Sequence, residues 1–385
     1  MRKKLLIVLT LFVFGGCTAG DIQSITTAAL SKDPSSALRV IARSKAVNYA
    51  SNPKKLAKDL TYLKELIESI TSVWGEKNVK IPQKTEYVKY LQNYKSRAMI
   101  DFDKGIVTIE TLDEKNAKKS LKNAIVTTLL LPDDPRAVDL FGTKPVKLGG
   151  TPYLLGEIKD DQNKDIRYAW RAERFADILI KNEFKQKNIT KQKKNIKLSY
   201  VTIPMVKDHA GIRVSKFKPY VKKFASKYNL SENLVYAIIR TESNFNQFAV
   251  SGAGAIGLMQ IVPTSAGRDA YKHIKNKSWT PSRDYLFDPK NNIELGSAYI
   301  QILKEKYLSN IYNSISKEYC VISAYNTGSG NVLKTFNTNR SKAFSVINSK
   351  KPSDVYNTLV NKLPYHETRR YLKKVVNFKK DFVNL

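Results

Sequence analysis

One acidic residue sits where acid/base chemistry could be done. Leu234, Val235, Ile238 and Ile239 mark the apolar face of a helix that Ser231 can cap. Glu242 follows Ile238 by four residues and Ile239 by three, so its carboxyl falls on the buried stripe and not on the solvent side. Burial disfavours the ionised form and raises the proton affinity toward the range where a Glu can donate a proton near neutral pH. The structural alternative is a helix-end Glu paired with a nearby cation. Downstream, Gly252-Ala253-Gly254-Ala255-Ile256-Gly257-Leu258-Met259-Gln260 reads as a tight glycine-permitted turn feeding a short helix. Such a turn lets backbone pass close to a ligand, and Gln260 there could offer amide donors and acceptors to a sugar. Ala324-Tyr325-Asn326-Thr327-Gly328-Ser329-Gly330 ends a helix carrying Tyr319, Val321 and Ile322. A tyrosine at that end can present its ring and hydroxyl to a cleft.

Hydrolysis of a glycosidic bond ordinarily takes two carboxylates, one to protonate the leaving oxygen and one as nucleophile or activator of water. Asp284, Asp288, Glu294 and Glu367 are available, but Asp288 reads better as a helix cap and Glu294 as a first-turn helix charge. A single carboxyl suffices where the attacking group belongs to the substrate. His209, His273 and His366 show no metal-ligand spacing, so no metal site is expected.

The segments "TESNFNQFAVSGAGAIGLMQIVPTSAG", "LFDPKNNIELGSAYIQIL", "AYNTGSGNV" and "LPYHETRRYLKKV", in this order over residues 216 to 378, resemble the successive motifs of the lytic transglycosylase family, whose catalytic fold is goose-lysozyme-like. "YVKYLQNYKSRAMIDFDKGIVTIET" and "LLLPDDPRAVDLF" are similar to the first domain of a membrane-bound branch of the same family. The resemblance implies Glu242 as the catalytic acid. It implies Ser251, Gln260, Tyr325 and Asn326 as residues lining the site around the sugar to be cleaved, with Met259 and Tyr365 in motifs near the cleft. It also implies the reaction: Glu242 protonates the oxygen between N-acetylmuramic acid and N-acetylglucosamine in peptidoglycan, then removes the proton of the muramyl 6-hydroxyl as it closes on C1. The product would be a 1,6-anhydro sugar, with no water consumed, no metal and no cofactor. The chain departs from the family at Asn244, where Ser is common, at Gln247, where Pro is frequent, and at Thr327, where Gly or Ala is common.

Several elements must position these groups. Pro53 opens a helical pattern in which Leu56, Leu60, Leu63, Ile67, Ile70 and Trp74 recur at three- and four-residue steps before Gly75. Met99 to Phe102 and Ile106 to Thr111 alternate around Asp103-Lys104-Gly105, a hairpin signal. A helix with Leu121, Ile125, Leu129 and Leu130 ends before Pro132, a second covers Trp170 to Ile180, and Leu198 to Val206 reads as a strand whose Pro204 suits an edge. Lys181 to Lys197 holds seven lysines and one Glu and reads as a solvated loop. Beyond residue 210 strand signals cease, and helices follow with Ser231, Thr264 and Asp288 as N-caps. The fold class is α+β: an N-terminal α+β domain over 54–209, then an all-α lysozyme-like catalytic domain over 210–385.

Arg2, Lys3 and Lys4 precede the apolar run Leu5 to Phe14, then Gly15, Gly16 and Cys17. That order resembles a bacterial lipoprotein signal over 1–16, with Cys17 acylated and residues 17–53 a tether. Thr18 after the cysteine implies the outer membrane, on its periplasmic side. With Cys17 lipidated, Cys320 is the sole remaining thiol and no internal disulfide can form. The formal charge of +32 favours an anionic partner, nucleic acid or an acidic envelope polymer. Export argues against nucleic acid and favours peptidoglycan glycan strands, and no segment marks a protein partner. A lysozyme-type hydrolase and a non-catalytic peptidoglycan-binding lipoprotein are the competing readings.

Overall fold

The computed structural model describes residues 68–80, 82–134, 145–191, 193–251 and 255–383. The signal, Cys17, the tether and positions 53–67 of the helix expected from Pro53 lie outside them. Residues 68–74 are helical and bury Ile70 and Trp74.

Among the described residues five antiparallel strands make one sheet: β1 (Glu86–Leu91), β2 (Ser96–Asp101), β3 (Ile106–Thr111), β4 (Lys185–Lys191) and β5 (Lys194–Pro204), in the order β1-β2-β3-β5-β4. Period-two alternation sends Ala98, Ile100, Val107, Ile109 and Val201 into the main core. There they meet α1 (Ala117–Leu129) and α2 (Ala169–Glu183). Trp74, Val88, Tyr90 and Leu198 form a smaller cluster of their own. Arg97 stacks 3.8 Å over the Trp74 ring and pairs with its cross-strand neighbour Glu110 at 2.6 Å.

The expected hairpin is β2 and β3, turned by Gly105 at φ 65°. β1 was not foreseen. Lys181 to Lys197 is not a loop: it covers the end of α2, strand β4 and the start of β5, and the hairpin's lysines are the charges an edge strand carries against further pairing. Pro204 lies in an interior strand, but beyond Tyr200, where pairing with β4 stops, so its missing N–H breaks no ladder.

From His209 onward the regular elements among the described residues are helical: α3 (His209–Lys227), α4 (Glu232–Ser243), α5 (Arg268–Lys275), α6 (Arg283–Phe287), α7 (Pro289–Ile302), α8 (Ser314–Thr327), α9 (Ser329–Phe336), α10 (Arg340–Asn348), α11 (Pro352–Lys362) and α12 (His366–Phe378). Asp288 caps α7 by accepting from Asn291 N–H at 3.0 Å. Ser231 precedes α4, but its hydroxyl makes no capping bond. Thr264 is not a cap, because it falls inside a five-residue π-turn, Pro263–Gly267, that runs into α5.

An ion network ties α3 to the sheet half. Arg213 and Glu157 pair at 2.6 Å with both side chains at 0% exposure, Lys216 reaches the second Glu157 oxygen at 2.8 Å, and Arg213 also donates to Phe102 O at 3.2 Å. Breaking a pair this dry leaves a stranded charge. Glu157→Ala is therefore expected to lower stability by about 3–5 kcal/mol, read as a reduced urea midpoint. His209 packs under Gly105, and burial followed by the Arg213 charge holds its pKa below the ordinary histidine value.

Candidate active site

α4 is buried on nearly every side: Leu234, Val235, Tyr236, Ala237, Ile238, Ile239, Glu242 and Ser243 are all enclosed. A helix apolar all round belongs in the centre of a core, and Glu242 is the carboxylate it carries there, 4% exposed and next to the helix's last residue, Ser243. Burial raises its pKa; Lys84 opposes this most strongly, followed by Tyr371, while the Glu367 charge adds to the rise. Lys84 Nζ lies 3.4 Å from Glu242 Oε2 and 4.0 Å from Glu367 Oε1. The buried Tyr371 hydroxyl approaches the carboxyl from α12 without aligning for a hydrogen bond.

Asn244 ends α4 in the left-handed region at φ 49°, and Phe245 continues the turn at φ 60°. Ser243 Oγ donates to Leu258 O at 2.8 Å, which draws the following loop against the helix. Asn292, fully buried on α7, holds that loop: its Nδ2 donates to Ile256 O and Leu286 O and its Oδ1 accepts from Met259 N–H, each at 2.8 Å. Gln260 takes φ 49°, and its Nε2 donates to Gly257 O at 2.9 Å and Ala249 O at 3.2 Å, leaving Oε1 buried and unpartnered. Ser251 Oγ accepts from Ala255 N–H at 3.2 Å and so closes the loop on itself. Residues 252–254 lie outside the described segments.

The remaining wall comes from α8 and α12. Tyr325 is half-buried and donates to Met259 O at 2.8 Å; burial first, then the Glu242 charge, push its hydroxyl pKa well up. Asn326 Oδ1 accepts from Thr368 Oγ1 at 2.6 Å, joining the two helices. Met259 is wholly buried, its thioether packed on Gly296, so it is the backbone carbonyl of Met259 that meets Tyr325. Tyr365 stands at the head of α12, 49% exposed.

Of the other acids, Asp288 is used as a cap, Glu294 binds Lys227 at 2.6 Å and the Tyr228 hydroxyl at 3.2 Å, and Asp284 sits in the first turn of α6. Glu367 is the one that approaches Glu242, through their shared lysine, and its side chain is 72% exposed. Among the described residues no cluster of three or more His, Cys, Asp or Glu could hold a metal ion.

Two groups at the carboxyl escaped sequence reasoning. Tyr371 lies on the buried stripe Thr368, Tyr371, Leu372 and Val375 of α12, a signal readable by periodicity. Lys84 has no local signal, since it arrives from a loop 158 residues away.

The chain matches the family model described as "Membrane-bound lytic murein transglycosylase C, N-terminal domain" over residues 49–216, and "Transglycosylase SLT domain" over residues 219–348. It is 43% identical over 319 residues to membrane-bound lytic murein transglycosylase C of Yersinia pestis (strain Pestoides F), spanning 83% of this chain and 88% of that protein. The corresponding protein of Yersinia pseudotuberculosis serotype O:1b (strain IP 31758) matches to the same extent, 43% over 319 residues. Among solved structures, the 70 kDa soluble lytic transglycosylase of Escherichia coli aligns at 25% identity and a TM-score of 0.34, covering 44% of this chain and 24% of that one. An inactive mutant of the lytic transglycosylase Slt from Pseudomonas aeruginosa aligns at 27% and 0.33, covering 42% and 23%. The chain thus spans about a quarter of those two proteins.

Proposed function

Since the chain belongs to the family of membrane-bound lytic murein transglycosylase C, we propose that it cleaves the bond between N-acetylmuramic acid and N-acetylglucosamine in peptidoglycan without consuming water, leaving a 1,6-anhydro end. The observation that carries this reading is Glu242: a carboxyl 4% exposed, its proton affinity raised by burial, and walled by Tyr325 and Tyr371. The raised proton affinity favours the protonated form, from which the carboxyl gives its proton to the glycosidic oxygen. The resulting carboxylate, beside Lys84 at 3.4 Å, takes a proton from the muramyl 6-hydroxyl as that oxygen attacks C1. Intramolecular attack replaces the capture of water and is worth several kcal/mol of barrier, on the order of 7 or more when well aligned.

Ser251, Gln260, Tyr325 and Asn326 are proposed to line the cleaved sugar's site, with Met259 and Tyr365 at its borders. Tyr325 and Asn326 are braced by Met259 O and Thr368, which supports orientation of the substrate by pre-set groups. The sheet half ends at Pro204 and the helical half begins at His209, in support of an N-terminal domain over 54–209 and a catalytic domain over 210–385. Acylated Cys17 would hold the chain to the periplasmic face of the outer membrane, in keeping with the relatives' description as membrane-bound. No described helix is long and apolar enough to cross a membrane.

Hydrolysis is the second reading, favoured by Glu367 lying 4.0 Å from the same lysine that touches Glu242. Two carboxyls are what a hydrolase needs. Digestion of purified sacculi followed by mass analysis separates the readings. Anhydro-muropeptides are expected; products heavier by one water, with reducing ends, would move the chain to the hydrolases.

A further inference from the structure

Lys84 belongs to the sheet half, yet its side chain ends at the carboxyl on α4. The short segment that carries it is held at both sides. Gln83 N–H donates to Glu86 O at 2.9 Å, and Phe102 N–H donates to Thr85 O at 3.0 Å, which fixes the segment to its own sheet. Asn246, 1% exposed, donates from Nδ2 to Lys84 O at 3.2 Å, which fixes it to the turn that follows Glu242. The ring of Phe248 packs edge-on against Tyr87 at 5.2 Å and Tyr153 at 4.7 Å, closing the same seam. The ammonium group is therefore delivered by backbone anchors on two sides and does not depend on a freely moving side chain alone.

The pair is unequal: the Lys84 side chain is 37% exposed and that of Glu242 is 5% exposed. For structural adhesion this is a poor arrangement, because a half-exposed cation is screened while the anion pays full desolvation. For an acid that must also serve as a base it is useful. A carboxyl surrounded only by apolar walls holds its proton too firmly to reclaim the role of base, and a cation about 3–4 Å away counters that. The groups facing the carboxyl are Lys84 from the segment before β1, Tyr325 from α8, and Tyr371 and Glu367 from α12. Lys84 is the cation among them.

Resting on Glu242 as the acid, we propose that Lys84 is a positioning residue for the reaction, lent by the sheet half to hold the Glu242 carboxyl and favour its ionised form through the Nζ–Oε2 contact. The site is thereby shared between the two halves of the chain.

The test uses the full chain and initial rates of fragment release from sacculi across pH, for wild type, K84M, K84R and E242Q, with thermal melts of each. In K84M the carboxyl keeps its proton to higher pH, so the alkaline limb moves upward. One pH unit above the wild-type limb, activity relative to each protein's own maximum is expected to rise at least about threefold, with KM within about twofold. K84R restores the wild-type limb. Lys84→Gln is read in place of K84M should the methionine variant not fold. A folded neutral variant with the wild-type limb overturns the proposal. So does a raised KM with an unmoved limb, which would make Lys84 a glycan contact. An active E242Q overturns the acid itself; an inactive E242Q with an unmoved K84M limb overturns the role of Lys84 alone.

Discussion

Glu242→Gln is expected to reduce glycan cleavage by about a thousandfold or more while glycan binding and folding persist. Glutamine matches the carboxyl in shape but neither yields nor reclaims a proton, and both steps of the proposed reaction pass through this one group. The folded protein should gain from the change. Burial raises the Glu242 pKa above its unfolded value. Below about pH 4 the carboxyl is protonated in both states and costs the fold nothing. As pH rises through that value toward the folded one, the unfolded chain releases its proton while the folded chain keeps it, so stability falls over that window. Glutamine carries no such cost. E242Q should therefore melt at or above the wild-type temperature at pH 7, the difference closing as pH drops below about 4. Activity and melting measured on the same preparations decide the matter: residual cleavage near the wild-type rate, or inactivity explained by a low melting temperature, would remove Glu242 from its assigned role.

Glu242 was legible because a helix repeats. Its spacing from Ile238 and Ile239 places it on the inward face, and the structure puts it at 4% exposure. The β2–β3 turn was legible for a similar reason, since Asp103-Lys104-Gly105 supplies the residue that tolerates φ 65°. β1 was hidden by Lys89, which interrupts the apolar run of Tyr87, Val88, Tyr90 and Leu91 and yet is 2% exposed. β4 was hidden by the lysines that suit an edge strand, since the same charges read as a solvated loop when the neighbouring strand is unknown. What local periodicity could not reach is the seam between the halves. Asn244 and Gln247, noticed only as departures from a family pattern, turn out to touch the sheet half. Asn244 Nδ2 donates to Phe102 O at 3.1 Å and Asp103 Oδ1 at 2.8 Å, and Gln247 Nε2 donates to Asp133 O. With Lys84, they mark the surface where tertiary packing, not sequence spacing, decides which groups meet.

Gly257→Ala should disable the site from below, lowering cleavage by about a hundredfold or more and stability by about 3 kcal/mol. Gly257 sits at φ 75°, a region that costs an L side chain about 1–2 kcal/mol. A Cβ there would overlap Asn292 Nδ2 and lie 2.7 Å from Leu286 O. Leu286 O is backbone and cannot swing aside, so Asn292 must move. With it go three 2.8 Å hydrogen bonds, to Ile256 O, Leu286 O and Met259 N–H, around a side chain that is 0% exposed. Met259 O is the acceptor for Tyr325, and Gln260 follows directly. Displacement of this loop therefore reaches both the tyrosine near the carboxyl and the amide proposed to face the sugar. Gly330→Ala is the matched control, because its Cβ meets nothing within 4 Å and it lies inside α9, where alanine is the better helix former. It should retain wild-type cleavage and melting. Equal activity in the two variants would mean that the Ile256–Ile261 loop does not set the geometry at Glu242, and that the reaction tolerates a displaced floor.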